Sequence, residues 1–162
     1  MHAGNNPDPM SALLSESRNF REVDERLLTA GQPNEAQLAD AARRGVQVVI
    51  NLALHDDPRY SLADEAGCVR GLGMDYVHIP VQFKAPTEEN LRAFIAAMDA
   101  HRGKTILVHC AANYRVTAFV GLYRVLREGW AAGKAFEPMR TVWEPDPVWT
   151  QFIANMLQRA PG

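Results

Sequence analysis

The sequence predicts an α/β fold: a central, mainly parallel sheet flanked by helices, resembling an open doubly covered sheet with extra helices at the C-terminal end. Three observations predict it. Short apolar runs rich in β-branched residues recur along the chain, helical patterns of period 3.6 lie between them, and a glycine, proline or capping residue marks most of the switches;. A strand, a helix and another strand in succession require a crossover connection, so the strands run parallel.

Residues 1–17 mix Asn, Pro, Ser and Gly without periodicity and are expected to form a flexible arm, leaving 18–162 as a single domain;. Arg26–Ala30 reads as a short strand ending in the turn Gly31-Gln32-Pro33;. Asn34 then caps a helix, with Gln37 placed as in a capping box and Leu38, Ala41 and Ala42 on the inner stripe, until Gly45 stops it;. Val46–Leu52 is almost wholly apolar and β-branched, which marks an interior strand;. The polar loop His55–Pro58 leads to a helix expected to be capped by Ser61 and closed by Gly71 and Gly73. Tyr76–Val81 is a further strand, ended by Pro80, and Thr87 caps a long helix through Leu91, Phe94, Ile95 and Met98. Thr105–His109 is a third buried strand. An amphipathic helix spans Val116 to Arg127, stopped by Gly129, and 131–159 is expected to hold two helices split at Pro145 and Pro147.

Composition narrows the function. The chain has 162 residues, enough for one domain with a real core, and its 17 Lys+Arg against 19 Asp+Glu give a net charge of -2;. That balance removes the general electrostatic case for nucleic acid. Hydrophobic residues at 47% and charged residues at 22% are ordinary for a globular protein, yet no apolar run approaches a bilayer span, so no membrane partner is expected;. The N-terminus lacks the basic start and apolar stretch of a signal peptide;. Two cysteines, Cys68 and Cys110, are too few for a disulfide framework and suit a reducing, cytoplasmic setting of bacterial type;.

The chemistry concentrates where the third buried strand ends. In an open parallel sheet, ligands bind beyond the carboxyl ends of strands, where loops feed helix N-termini. Cys110 stands at such an end, and Ala111, Ala112, Asn113, Tyr114, Arg115 and Val116 wrap from strand to helix. Backbone N–H groups and the helix dipole there favour an anion, and the same field favours a nucleophilic thiolate at Cys110. Arg115 supplies a planar fork for two oxygens of a phosphate, sulfate or carboxylate.

The run Val108-His109-Cys110-Ala111-Ala112-Asn113-Tyr114-Arg115-Val116-Thr117 resembles the phosphate-binding loop of cysteine-dependent phosphatases of the protein tyrosine and dual-specificity class. That loop carries His-Cys, five residues, Arg, then Ser or Thr. Gly31-Gln32-Pro33, Val46–Leu52 and Tyr76–Val81 keep the family's order and spacing, so the likeness runs from about Leu27 to Trp130. It is similar above all to a bacterial phosphatase-like group with members fused to β-lactamase-like hydrolases. The resemblance implies a phosphoric monoester hydrolase working through a cysteinyl-phosphate intermediate, with Cys110 as nucleophile and Arg115 as oxyanion clamp. It implies no cofactor, and a phosphorylated small molecule or phosphoprotein as partner, with phosphate or sulfate able to occupy the site.

Three departures qualify the likeness. Four residues, not five, separate Cys110 from Arg115. With the loop one residue shorter, Val116 takes the place of the hydroxyl; with a loop of full length, Val116 replaces the arginine and Thr117 keeps the hydroxyl. The first alignment retains the clamp and is preferred. Asn113 replaces the mid-loop glycine, and Asn is the residue that best tolerates positive φ after glycine. The family's general-acid Asp is missing, because Gln82-Phe83-Lys84 has no carboxylate. Asp57, or Asp56, after Val46–Leu52 is the candidate substitute, and without one the enzyme would be slow.

Other features have two readings. His109 either orients the loop and tunes the thiol or packs in the core; Tyr114 either shapes the pocket mouth or lies on the surface. Thr117 reads as a back-bonded helix hydroxyl, and Cys68 either as buried filler or as a partner for an oxidised Cys110. The histidines at 2, 55, 78, 101 and 109 show no metal-ligand spacing, so no metal is expected;. Trp143–Trp149 is either a rigid turn or a wall over the site offering Glu144 or Asp146. The competing functions are a rhodanese-like sulfurtransferase, whose loops are similarly short, and a catalytically impaired domain that binds phosphate or sulfate.

Overall fold

The computed structural model describes residues 11–58 and 61–159. Five strands form one sheet: β1 (Arg21–Asp24), β2 (Leu27–Ala30), β3 (Val48–Asn51), β4 (Asp75–His78) and β5 (Ile106–His109), in the order β1-β2-β5-β3-β4. Only β1 runs antiparallel, against β2; the other pairs are parallel, with Ala30 and Asn51 in register on either side of His109. The expected α/β architecture is therefore present.

The two-residue pleat sorts the strands onto two faces. Leu28, Val49 and Leu107 pack toward one cluster with Leu38 and Ala41 of α1 (Glu35–Arg43) and Val69 of α2 (Glu65–Gly71). Leu27, Val48, Ile50, Ile106 and Val108 point the other way, against α3 (Glu88–Ala100) and α4 (Tyr114–Glu128). The C-terminal helices α5 (Ala132–Ala135), α6 (Glu137–Val142) and α7 (Pro147–Gln158) cover α4 on that same side. β5 is the middle strand. The helix after β3 goes to one face and the helix after β5 to the other, the arrangement in which open sheets bind ligands at the carboxyl edge;.

The expected capping box at Asn34 forms, and Thr87, expected as a cap, makes one as well. The Asn34 side chain accepts from Gln37 N–H and the Thr87 side chain from Asn90 N–H, and the third residue of each reaches back. Four other details differ. β1 escapes sequence reading because its four residues include a single apolar one, Val23, and it lies at the sheet edge with half its side chains exposed. Ser61 is not the cap of α2: its hydroxyl donates to the Asp57 carbonyl, and Asp64 caps instead, accepting from Gly67 N–H. The tail holds three helices rather than two, because Pro138, tolerated in the first turn of a helix but not in its interior, starts a new helix after Phe136;. Of the expected flexible arm, residues 1–10 lie outside the described residues. Residues 11–17 are packed rather than loose, with Leu14 fully buried and its N–H donating to Asp40.

Gly121 of α4 allows the tail to dock. A Cβ there would lie 2.2 Å from the Phe136 ring. Gly121→Ala is expected to cost about 1–3 kcal/mol through overpacking, read as a lower urea midpoint at unchanged slope.

Candidate active site

Cys110 follows β5 directly, and its N–H donates to the Ala30 carbonyl, so the middle strand delivers it to the carboxyl edge of the sheet. The turn that follows depends on Asn113, which caps α4 with φ of +70°. The sequence reading of Asn as the tolerated substitute for glycine is thus matched by the backbone. Its side chain does not cap the helix. Its Nδ2 donates to the Asn19 carbonyl and to Thr29 Oγ1, while Asn19 Nδ2 donates back to the Ala112 carbonyl.

The segment Gly31-Gln32-Pro33 braces the loop from the other side. Gly31 bridges to Ala112, and Gln32 N–H donates to the Ala111 carbonyl at 3.1 Å. This approach needs glycine, since a Cβ on Gly31 would lie 2.6 Å from the Ala111 oxygen. The carbonyls of Ala111 and Ala112 are therefore turned outward to the bracing segments. Among the described residues, the N–H groups of Ala111, Ala112, Tyr114, Arg115 and Val116 have no hydrogen-bond partner. They are the unpaired donors of a helix start and the turn before it, the arrangement that binds anions.

Arg115 lies in the first turn of α4, only 9% exposed. Its Nη1 donates to the Val81 carbonyl at 2.9 Å, and its Nε is buried with no partner. No carboxylate among the described residues pairs with it. Cys110 is fully buried, as is Val116, so the position next to Arg115 holds a hydrocarbon packed in the core. Thr117 is buried too; its hydroxyl donates to the carbonyls of Asn113 or Tyr114 and accepts from Trp143 Nε1, as a back-bonded helix residue does;.

The 143–149 segment is a wall as well as a turn. Trp143 stacks on Tyr114 with ring centroids 4.8 Å apart, and Phe83 lies against both of them and Trp149. Trp149 Nε1 donates to the Phe83 carbonyl, fixing the segment after β4 from which Val81 reaches Arg115. Tyr114 is consequently half-buried beside the loop. Asp146 is committed as the cap of α7 and Glu144 is exposed. Asp57 is half-buried and Asp56 exposed, in the loop that leaves β3 beside the Cys110 loop.

Sequence reasoning missed Glu65. This first residue of α2 is fully buried, and its Oε2 lies 2.5 Å from Nε2 of the equally buried His109. Its Oε1 accepts from Gln32 Nε2 at 2.8 Å. An acidic residue in a first helical turn looks like an ordinary partner of the helix dipole, so no local signal marks it. Around this pair lie Tyr76, His55 and Asn51, whose amide donates to both the His55 ring and the Tyr76 hydroxyl. Burial pushes Tyr76 up to about 12. Burial, with His78 stacked on it, lowers His55, opposed by Glu65.

The family model described as the DSP-PTPase phosphatase fused to NAD+ kinase matches residues 10–143. The chain belongs to this phosphatase family. A DUF442 phosphatase-like protein from Shewanella putrefaciens CN-32 is 36% identical, superposes with a TM-score of 0.81, and covers 92% of this chain and 97% of its own. The Beta-lactamase hydrolase-like protein of Xylella fastidiosa (strain Temecula1) is 33% identical over 107 residues, 65% of this chain. The chain spans about a quarter of that relative's length, 25%. TpbA of P. aeruginosa shares the fold with a TM-score of 0.67 at 19% identity, over 85% of this chain and 84% of its own. Fold and family are those of a phosphatase-like hydrolase.

Burial alone would raise the Glu65 carboxyl, but the His109 ring and the Gln32 amide outweigh it and hold Glu65 below the usual carboxylate range. The folded value lies below the unfolded one, about 4.3. The pair therefore stabilises the protein fully above that pH and loses this contribution as pH falls through the folded value. Wild-type stability in urea is expected to drop steeply on acidification below about pH 4.3, and Glu65→Gln to flatten that slope.

Proposed function

We propose that this phosphatase-family chain hydrolyses a phosphomonoester through a cysteinyl-phosphate intermediate. The sulfur of Cys110 attacks phosphorus, and the P–O ester bond breaks as the P–S bond forms. The guanidinium of Arg115 and the unpaired N–H groups from Ala111 to Val116 hold the three equatorial oxygens. The departing oxygen takes a proton from Asp57. Water then gives a proton back to Asp57 as it attacks phosphorus, and the P–S bond breaks to release inorganic phosphate and the Cys110 sulfur. Thr117 and His109 support the loop rather than react. The substrate is a phosphorylated small molecule or phosphoprotein, and no described helix is long and apolar enough to cross a membrane.

The observation that carries this reading is Arg115. A guanidinium nine-tenths buried, with a buried Nε lacking any partner, is costly unless an anion completes it;. Hydrocarbon at Val116 and the lack of a carboxylate over 82–84 bear on rate rather than on binding.

Hydrolysis of an aryl phosphate tests the reading. Cys110→Ser is expected to abolish turnover while inorganic phosphate still binds. Arg115→Ala is expected to lower kcat/KM by roughly 10²–10³-fold. Asp57→Asn is expected to lower kcat by roughly 10²-fold for an alkyl phosphate, whose leaving group needs the proton, and by much less for the aryl one. Phosphate binding without turnover in the wild type would leave a binding domain. Thiosulfate-to-cyanide transfer without phosphate hydrolysis would make it a sulfurtransferase.

A further inference from the structure

Glu65 and Gln32 close a clamp around the backbone of Cys110. On the upstream side, Glu65 Oε2 meets Nε2 of His109, the residue that precedes the cysteine, at 2.5 Å with both side chains fully buried. On the downstream side, Gln32 N–H donates to the carbonyl of Ala111, the residue that follows it. The Gln32 side chain closes the circuit by donating to the other oxygen of Glu65. One carboxylate in α2 thus ties together the two residues flanking the sulfur-bearing position, using parts from three separate segments.

The ring geometry adds a constraint. With Nε2 donating to the carboxylate, the imidazole is held by a charge-assisted bond, and its Nδ1 faces the Cys110 carbonyl at 3.4 Å;. The pair sits outside the anion cradle, since Glu65 approaches from the face covered by α1 and α2, whereas Arg115 emerges from α4 on the opposite face. Packing alone does not account for a carboxylate there. An apolar residue would fill the same space without the cost of desolvating a charge.

We propose that Glu65 is a positioning residue for the Cys110 loop: through His109 and Gln32 it sets the path of the backbone on both sides of the nucleophile. The role in turnover rests on the phosphatase reading above; the clamp itself does not.

The test is Glu65→Gln, which keeps the size and loses the charge, with Gln32→Ala as a second, milder variant that cuts only the side-chain link from the carboxylate to the downstream arm and leaves the backbone bond to Ala111. Circular dichroism and a thermal melt establish that each is folded. In the wild type, the Nε2–H of His109 is expected as a low-field, exchange-protected proton resonance, lost in Glu65→Gln and retained in Gln32→Ala. Alkylation of Cys110 by iodoacetamide, and protection against it by inorganic phosphate, are expected to weaken in both variants. Aryl phosphate turnover is expected to fall about 10–100-fold in kcat for Glu65→Gln, the scale of removing a supporting partner of a reactive group, with KM changed by less than about threefold; Asp64→Asn, at the helix cap beside it, would not reproduce this split. A wild type without turnover overturns the phosphatase reading, and the resonance and alkylation results then decide the clamp. The clamp is overturned if folded Glu65→Gln keeps the low-field resonance, or if it alkylates and is protected as the wild type is.

Discussion

A buried positive charge with no negative partner among the described residues sets the terms for this site. The effective cost of taking an ion out of water is several kcal/mol even after relaxation. Arg115 offsets part of that with one hydrogen bond to the Val81 carbonyl and leaves Nε unpaired. Other buried or half-buried arginines are handled differently: Arg124 is paired with Asp24 and lies over the Trp130 ring. The contrast sets Arg115 apart among the described residues as a buried guanidinium that no described carboxylate neutralises, which suits the anion-binding role proposed for it. Its position in the first turn of α4 places it beside unpaired backbone donors whose dipole has the same preference;.

Holding such a loop open requires support from outside it. A turn whose amides are left without partners cannot use those amides to stabilise itself, so its carbonyls and side chains must be anchored instead;. Asn19, Thr29 and Gln32 provide the anchors, all from the chain preceding α1, and Gly31 permits the close approach. The far side is walled by aromatic rings. Phe83, Tyr114, Trp143 and Trp149 link the segment after β4, the start of α4 and the tail, so the C-terminal helices buttress the loop as well as covering the core.

Elements whose evidence is local were legible. Asn34 and Thr87 announce their helices by capping chemistry that works within four residues;. Val48–Asn51 and Ile106–His109 announce buried strands because both faces are covered and every side chain is apolar or internally bonded. β1 was not legible, because Arg21–Asp24 gains its conformation from pairing with β2 rather than from its own residues. Asp64, in left-handed conformation at φ of +50°, displaced Ser61 as a cap because the intervening loop consumes the serine hydroxyl.

Within the site the division follows the same physics. Chain order alone determined that a thiol ends a buried strand, that a guanidinium opens the next helix, and that an asparagine stands where the turn needs positive φ, since these are properties of neighbours along the backbone. Tertiary structure alone decided that Glu65 meets His109 across 44 residues, that Gln32 braces Ala111, and that Trp143 covers Tyr114. Such contacts arise from the stacking of helices on opposite faces of one sheet. A carboxylate buried by that stacking is, in sequence, indistinguishable from one left in water.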